Sequence, residues 1–199
     1  MKKAMLIFSA CACLAFGQSG FLKEHIKVSQ DGKFIGFATV LTPVEILSQN
    51  AKNAKVKVSG FVNENYQEKL VKDPQKYEEY LIFADENDNA SFKGESNPFI
   101  KVLKKAEDEY GEIWLESELS FDLPSSAIVA SPDELYAKAK SEYEQVCSAC
   151  HHLHAPSEFS VSQWPFAIES MESGGFVVLE PAQKDLIIKY LQHNAKDAK

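Results

Sequence analysis

Long apolar stretches are nearly absent from this 199-residue chain; one runs from Ala4 to Phe16, at the N-terminus. A helix needs about 20 consecutive apolar residues to cross a bilayer, so nothing after residue 17 reads as a membrane span. Sulfur is scarce, with four cysteines and three methionines in all. No internal repeat or low-complexity tract is visible, which excludes solenoids and disordered arrays. Basic residues are the minority charge: 21 Lys and Arg stand against 29 Asp and Glu, for a formal charge of -8. That balance argues against nucleic-acid binding. It serves solubility first, and it would favour encounter with a partner that carries a basic docking patch. Asp85-Glu86-Asn87-Asp88-Asn89 lacks the spacing and closing Glu of a calcium loop, and reads as a solvated turn. No acid/base pair stands out that would compel an enzyme, so a non-enzymatic role is expected.

What is present begins with a leader. Lys2 and Lys3 precede the apolar run, and Ala15-Phe16-Gly17 resembles a small-x-small cleavage site, so residues 1–17 read as a secretory signal peptide. An uncleaved anchor is the alternative; Phe8-Ser9-Ala10-Cys11 is a poor lipobox. Cleavage would remove Cys11, Cys13, Met1 and Met5, leaving Cys147, Cys150 and Met171 as the sulfur-bearing side chains. It would also move the charge from -8 to -10 by taking Lys2 and Lys3. The remainder, roughly 180 residues, can bury one good core or two small ones.

Two of those retained cysteines sit in Cys147-Ser148-Ala149-Cys150-His151. Two thiols at this spacing lie on one short turn and can form thioethers to the two vinyl groups of one haem, and the adjacent histidine can reach the iron. The same residues admit zinc binding with His152 or His154, a dithiol redox pair, or a plain disulfide. Export favours one covalent haem c over these, because haem c is assembled after export. A low-spin haem needs a second axial ligand. Met171, 20 residues after His151, is the leading candidate and His154 the runner-up. Trp164, with Tyr143, Phe159 and Phe166, reads as core that includes the haem edge. Pro156 would turn the loop after the motif and offer its carbonyl to the His151 imidazole.

Two textures divide the chain. Residues 21–125 hold short apolar or alternating runs between turn signals: Phe34 to Val40, Val56 to Val62, Tyr80 to Phe83 and Ile113 to Leu119. Lys101 to Glu109 fits a short helix or a charged strand. Residues 131–199 read as helical. Ser131-Pro132-Asp133-Glu134 is a start signal, and Leu135, Ala139, Tyr143 and Val146 form a stripe leading into Cys147. Gln163 to Glu172 and Pro181 to Asn194 are the next two helices, the first ended by Gly174-Gly175. The expected fold is therefore α+β: an N-terminal β-rich domain, a small barrel or sandwich, followed by a small all-α domain in the pattern of class I cytochromes c.

The run Glu142 to His151, then Leu153-His154-Ala155-Pro156, Gln163-Trp164-Pro165, Ser170-Met171 and Lys189 to His193 resembles the C-terminal monohaem domain of TorC-type cytochromes. The likeness covers about the last 70 residues well and some 70 more faintly. It implies a periplasmic electron-transfer protein that passes single electrons to a molybdenum-containing reductase of trimethylamine N-oxide or related S- and N-oxides. Those cytochromes also carry a tetrahaem module that takes electrons from quinol. This chain has a single Cys-x-x-Cys-His, so a separate quinol-oxidising cytochrome or complex would have to reduce it. A haem-based sensor or regulatory binding protein with an exchangeable sixth ligand is the alternative reading.

Overall fold

The computed structural model describes residues 18–149 and 152–198. The expected leader at 1–17, Cys150 and His151 lie outside the described residues. Ten strands form one antiparallel sheet: β1 (Gln18–Leu22), β2 (Ile26–Gln30), β3 (Lys33–Ala38), β4 (Pro43–Gln49), β5 (Asn53–Asn63), β6 (Lys69–Val71), β7 (Glu79–Ile82), β8 (Lys101–Glu107), β9 (Ile113–Pro124) and β10 (Ile128–Val129). The helices are α1 (Asp133–Cys147), α2 (Gln163–Ser173) and α3 (Pro181–His193).

Side chains alternate along a strand, so every second residue of β5 can face one interior. Ala54, Val56, Val58 and Val62 do so and are buried, while Lys55 and Lys57 point outward. The full length of β5 pairs with β9, from Asn53 opposite Pro124 to Asn63 opposite Trp114. This pairing closes a six-stranded barrel in the order β5-β6-β7-β3-β2-β9. Its interior holds Leu22, Val28, Ile35, Leu81, Phe83 and Phe121, all inaccessible to solvent. β4, β1 and β10 extend the sheet from the other edge of β5, and β8 runs along the first half of β9. The barrel wall demands a glycine at position 36: φ is +140° there, and a Cβ would lie 2.1 Å from the Ile82 carbonyl oxygen. Lys101 to Glu107 is a strand, exposed at every residue, and its lysines discourage further pairing at this sheet edge.

The expected fold class, with a small all-α class I-like cytochrome c domain after the β-rich part, is overturned. The described residues are mostly β around the closed barrel, and the three helices among them are short, at 15, 11 and 13 residues. The helices share one buried cluster, which includes Tyr143, Trp164, Ile168, Ile187 and Leu191, and part of α1 and α3 is buried on the β part instead. Ala139 of α1 and Leu186 of α3 share a buried cluster with Val40 and Leu41, which follow β3. Lys189 of α3 is buried with its Nζ 3.4 Å from Glu78 Oε1; it also donates to the Glu79 carbonyl and lies 5.4 Å from the Tyr80 ring centroid. Burial holds the Lys189 ammonium below its ordinary value against the opposing pull of Glu78. His25 Nδ1, between β1 and β2, sits 3.3 Å from Asp185 Oδ2 of α3. Among the described residues, no helix is long and apolar enough to cross a membrane.

Candidate functional site

The helices enclose a cleft of about 320 Å³, within the range of small-molecule sites. Each wall follows from a local sequence cue. α1 starts at Asp133, one residue later than the sequence signal suggests. The Ser131 hydroxyl accepts the Asp133 N–H at 3.2 Å and the Pro132 carbonyl accepts from Tyr136 at 2.9 Å. From that start, the period of 3.6 carries Ala139, Tyr143 and Val146 down one face, and Cys147 ends the helix half-buried with its thiol in the cleft. Burial pushes the Cys147 thiol above its ordinary value.

The loop after the motif is folded back by a short turn at Pro156–Glu158. Three contacts hold it. The Tyr143 hydroxyl donates to the His154 carbonyl at 2.9 Å. The Trp164 indole N–H donates to the Pro156 carbonyl at 2.9 Å, and the Ala155 N–H donates to Glu158 Oε1 at 2.7 Å. The Pro156 carbonyl, expected to face the His151 imidazole, thus has Trp164 as a described partner. His154 lines the cleft, and its Nδ1 is 2.7 Å from Glu158 Oε2. Hydrogen bonding from His154, then from the Ala155 N–H, holds the Glu158 carboxyl below the usual carboxylate range.

α2 supplies the opposite wall. Trp164 and Ile168 are buried, and Phe159 meets Trp164 edge-on at 4.8 Å between centroids. Tyr143 meets the same indole at 6.1 Å. Met171, about one-third exposed, reaches the rim of the cleft. Phe166, expected in the core, is 70% exposed instead, because it lies on the face of α2 away from Trp164 and Ile168. The structure therefore brings Cys147, Met171, Trp164 and His154 to one cleft, from two helices and a loop.

Sequence reasoning missed the third wall. Phe176, Val177 and Leu179 close the cleft from the segment between α2 and α3. The signal was there: an apolar run directly after Gly174-Gly175, where a helix ends and a solvated loop would be polar. Gly175 has φ of +72°, which turns the chain back over the cleft.

The cleft fits a flat apolar macrocycle. Its walls are aromatic and aliphatic, and two sulfur side chains, Cys147 and Met171, face it from different helices.

No family model matches the chain, and no solved structure matches it. It is similar to the cytochrome c-type protein TorC of Escherichia coli O157:H7, at 27% identity over 109 residues, or 54% of this chain. It is likewise 26% identical over 109 residues to the cytochrome c-type protein TorC of Escherichia coli strain K12. The chain spans about a quarter of the length of these curated relatives, 27% in each case. The similarity is thus to part of two proteins described as cytochrome c-type.

Proposed function

We propose that this chain is a periplasmic monohaem cytochrome c that passes single electrons to a molybdenum-containing S- or N-oxide reductase. The observation that carries the haem reading is the apolar cleft faced by both Cys147 and Met171, at the end of a helix that runs into Cys-x-x-Cys-His. In this reading residues 1–17 are the signal peptide, 21–125 the β-rich part and 131–199 the haem-carrying segment. Haem c, when bound, supplies a one-electron couple. The chain's residues do the rest. Cys147 and Cys150 would hold the group through thioethers, and His151 and Met171 would ligate its iron, with His154 as the alternative to Met171. Trp164, Tyr143 and Phe159 keep water from the interior of the cleft. A methionine ligand and a dry, apolar wall both raise the reduction potential, which suits an electron donor at the end of a relay. The reductase as acceptor, and a separate quinol-oxidising cytochrome or complex as donor, rest on the resemblance to TorC-type cytochromes. The formal charge of -8 supports docking to a basic patch on the partner.

The test is a redox-monitored optical spectrum of the exported protein, alone and as Met171→Ala. A low-spin haem with the ferric methionine-to-iron band is expected, and Met171→Ala should lower the potential and admit cyanide. An unchanged potential and spectrum in the variant would remove Met171. A high-spin parent that binds cyanide readily would instead favour a haem-based sensor or regulatory binding protein.

A further inference from the structure

A second cleft, of about 390 Å³, lies wholly on the β-rich part and involves no residue of the helices. Three tyrosines stand around it: Tyr66 is 73% exposed, Tyr77 50% and Tyr110 80%. A cluster of exposed large aromatic rings is costly on a protein surface unless something covers it. Its floor is Trp114, which is buried.

Two of the rings, Trp114 and Tyr77, and the turn that carries Tyr110 are held in place before any ligand arrives. Asp108 organises the turn between β8 and β9. Its Oδ1 accepts the N–H groups of Tyr110 and Glu112, each at 2.9 Å, and its Oδ2 accepts the Trp114 indole N–H at 3.0 Å. Tyr77 packs edge-on against that indole, 5.5 Å between centroids at 80°. Glu112 is steadied by Asn63, whose Nδ2 donates to Glu112 Oε2 at 3.1 Å.

The charge of the cleft is unbalanced. Neighbouring Glu64 forms an ion pair with Lys105. Asp108 and Glu112 form none among the described residues. An aromatic face is itself negative because of its quadrupole, so a cation lying over any of these rings would be attracted by ring and carboxylates alike. The complement of that field is a cation, and the complement of tyrosine walls is a cation that sheds water easily. Methylated ammonium meets both needs, since its methyl groups pack on rings while its charge remains. A sugar would stack on the same rings and leave the carboxylate charge unused.

We propose that the Tyr66–Tyr77–Tyr110 cleft binds a small organic cation bearing a methylated ammonium group. The tyrosines supply contact and cation–π attraction, Glu112 supplies charge, and Asp108 positions Trp114 and the turn. The site is independent of haem attachment.

Isothermal titration of the full, haem-loaded protein tests this. The probes are choline, its uncharged analogue with carbon in place of nitrogen, and maltose. Choline should bind saturably and the uncharged analogue should not. Tyr110→Ala and Glu112→Gln should each weaken choline about tenfold, with the haem spectrum and circular dichroism unchanged. Tyr66→Ala is the second aromatic variant, at another largely exposed position. Equal binding of choline and its uncharged analogue would overturn the proposal. So would binding of maltose without choline, absence of saturable choline binding, or parental affinity in the tyrosine variants.

Discussion

Replacing Glu78 by leucine isolates Lys189, the one buried lysine among the described residues. In the parent, Lys189 Nζ lies 3.4 Å from Glu78 Oε1, with the two side chains 6% and 11% exposed. Glu78 also meets Lys72 at 3.1 Å, a more open pair worth at most about 1 kcal/mol. Glu78→Leu leaves the ammonium with the Glu79 carbonyl, the Tyr80 ring and the weaker, unbonded pull of the Glu79 carboxylate. Removing one partner of a buried pair costs about 3–5 kcal/mol. A ceiling comes from the escape route of deprotonation. Bringing a lysine of ordinary value 10.5 to its neutral form at pH 7 costs about 5 kcal/mol, at about 1.36 kcal/mol per unit. The two routes agree, and for a chain of this size they translate to a fall in Tm of about 6–20 °C. Glu78→Leu with Lys189→Met removes both charges and should lie within about 1 kcal/mol of the parent. The pH dependence has a definite sign. A depressed lysine binds fewer protons folded than unfolded, so stability rises with pH between its folded value and 10.5. Glu78→Leu should widen that window downward. Urea denaturation followed by far-ultraviolet circular dichroism at matched haem loading measures all of this. A loss below about 1 kcal/mol for Glu78→Leu, or a double variant as unstable as the single, would refute the argument that this pair joins α3 to the barrel.

Four other variants probe different parts of the molecule. Trp164→Phe removes the donor to the Pro156 carbonyl and should cost about 1–3 kcal/mol in urea denaturation; parental stability would show that this bond does not hold the loop. Gly36→Ala meets the Ile82 carbonyl as well as an unfavourable φ. It should cost clearly more than Gly32→Ala, where φ is +78° but nothing lies within 4 Å, and equal Tm values would contradict the steric account. Burial, then the nearby Lys72 charge, holds the His193 imidazole below its ordinary 6.5, with Glu78 opposing. The unfolded chain therefore takes up that proton first, and stability falls as pH drops from 6.5 through the folded value. His193→Gln, which cannot titrate, should show a shallower loss between about pH 7.5 and pH 5 in the same assay.

The local periodicities were legible in the amino-acid order. Alternation from Ala54 to Val62 marks a strand with one buried face, and the Leu186, Ile187 and Leu191 stripe marks a helix, because backbone geometry alone places those side chains on one side. The spacing of Cys147, Cys150 and His151 points to its chemistry for the same local reason. Charge patterning at Lys101 to Glu107 was ambiguous, since an all-exposed segment has no apolar period to read; only its pairing with β9 makes it a strand. Separation in sequence hid the rest. Nothing near Asn53 names Pro124 as its partner, yet that pairing closes the barrel. Nothing near Ala139 names Val40, yet the two share one buried cluster that sets α1 and α3 against the residues following β3. The sequence by itself marked the helical segments and several of the strands, and nominated the residues that would hold a haem. Tertiary structure alone decided that Cys147, Met171 and Leu179 face one cleft, and that Tyr66, Tyr77 and Tyr110 surround another, because burial is shared between segments that the chain order keeps apart.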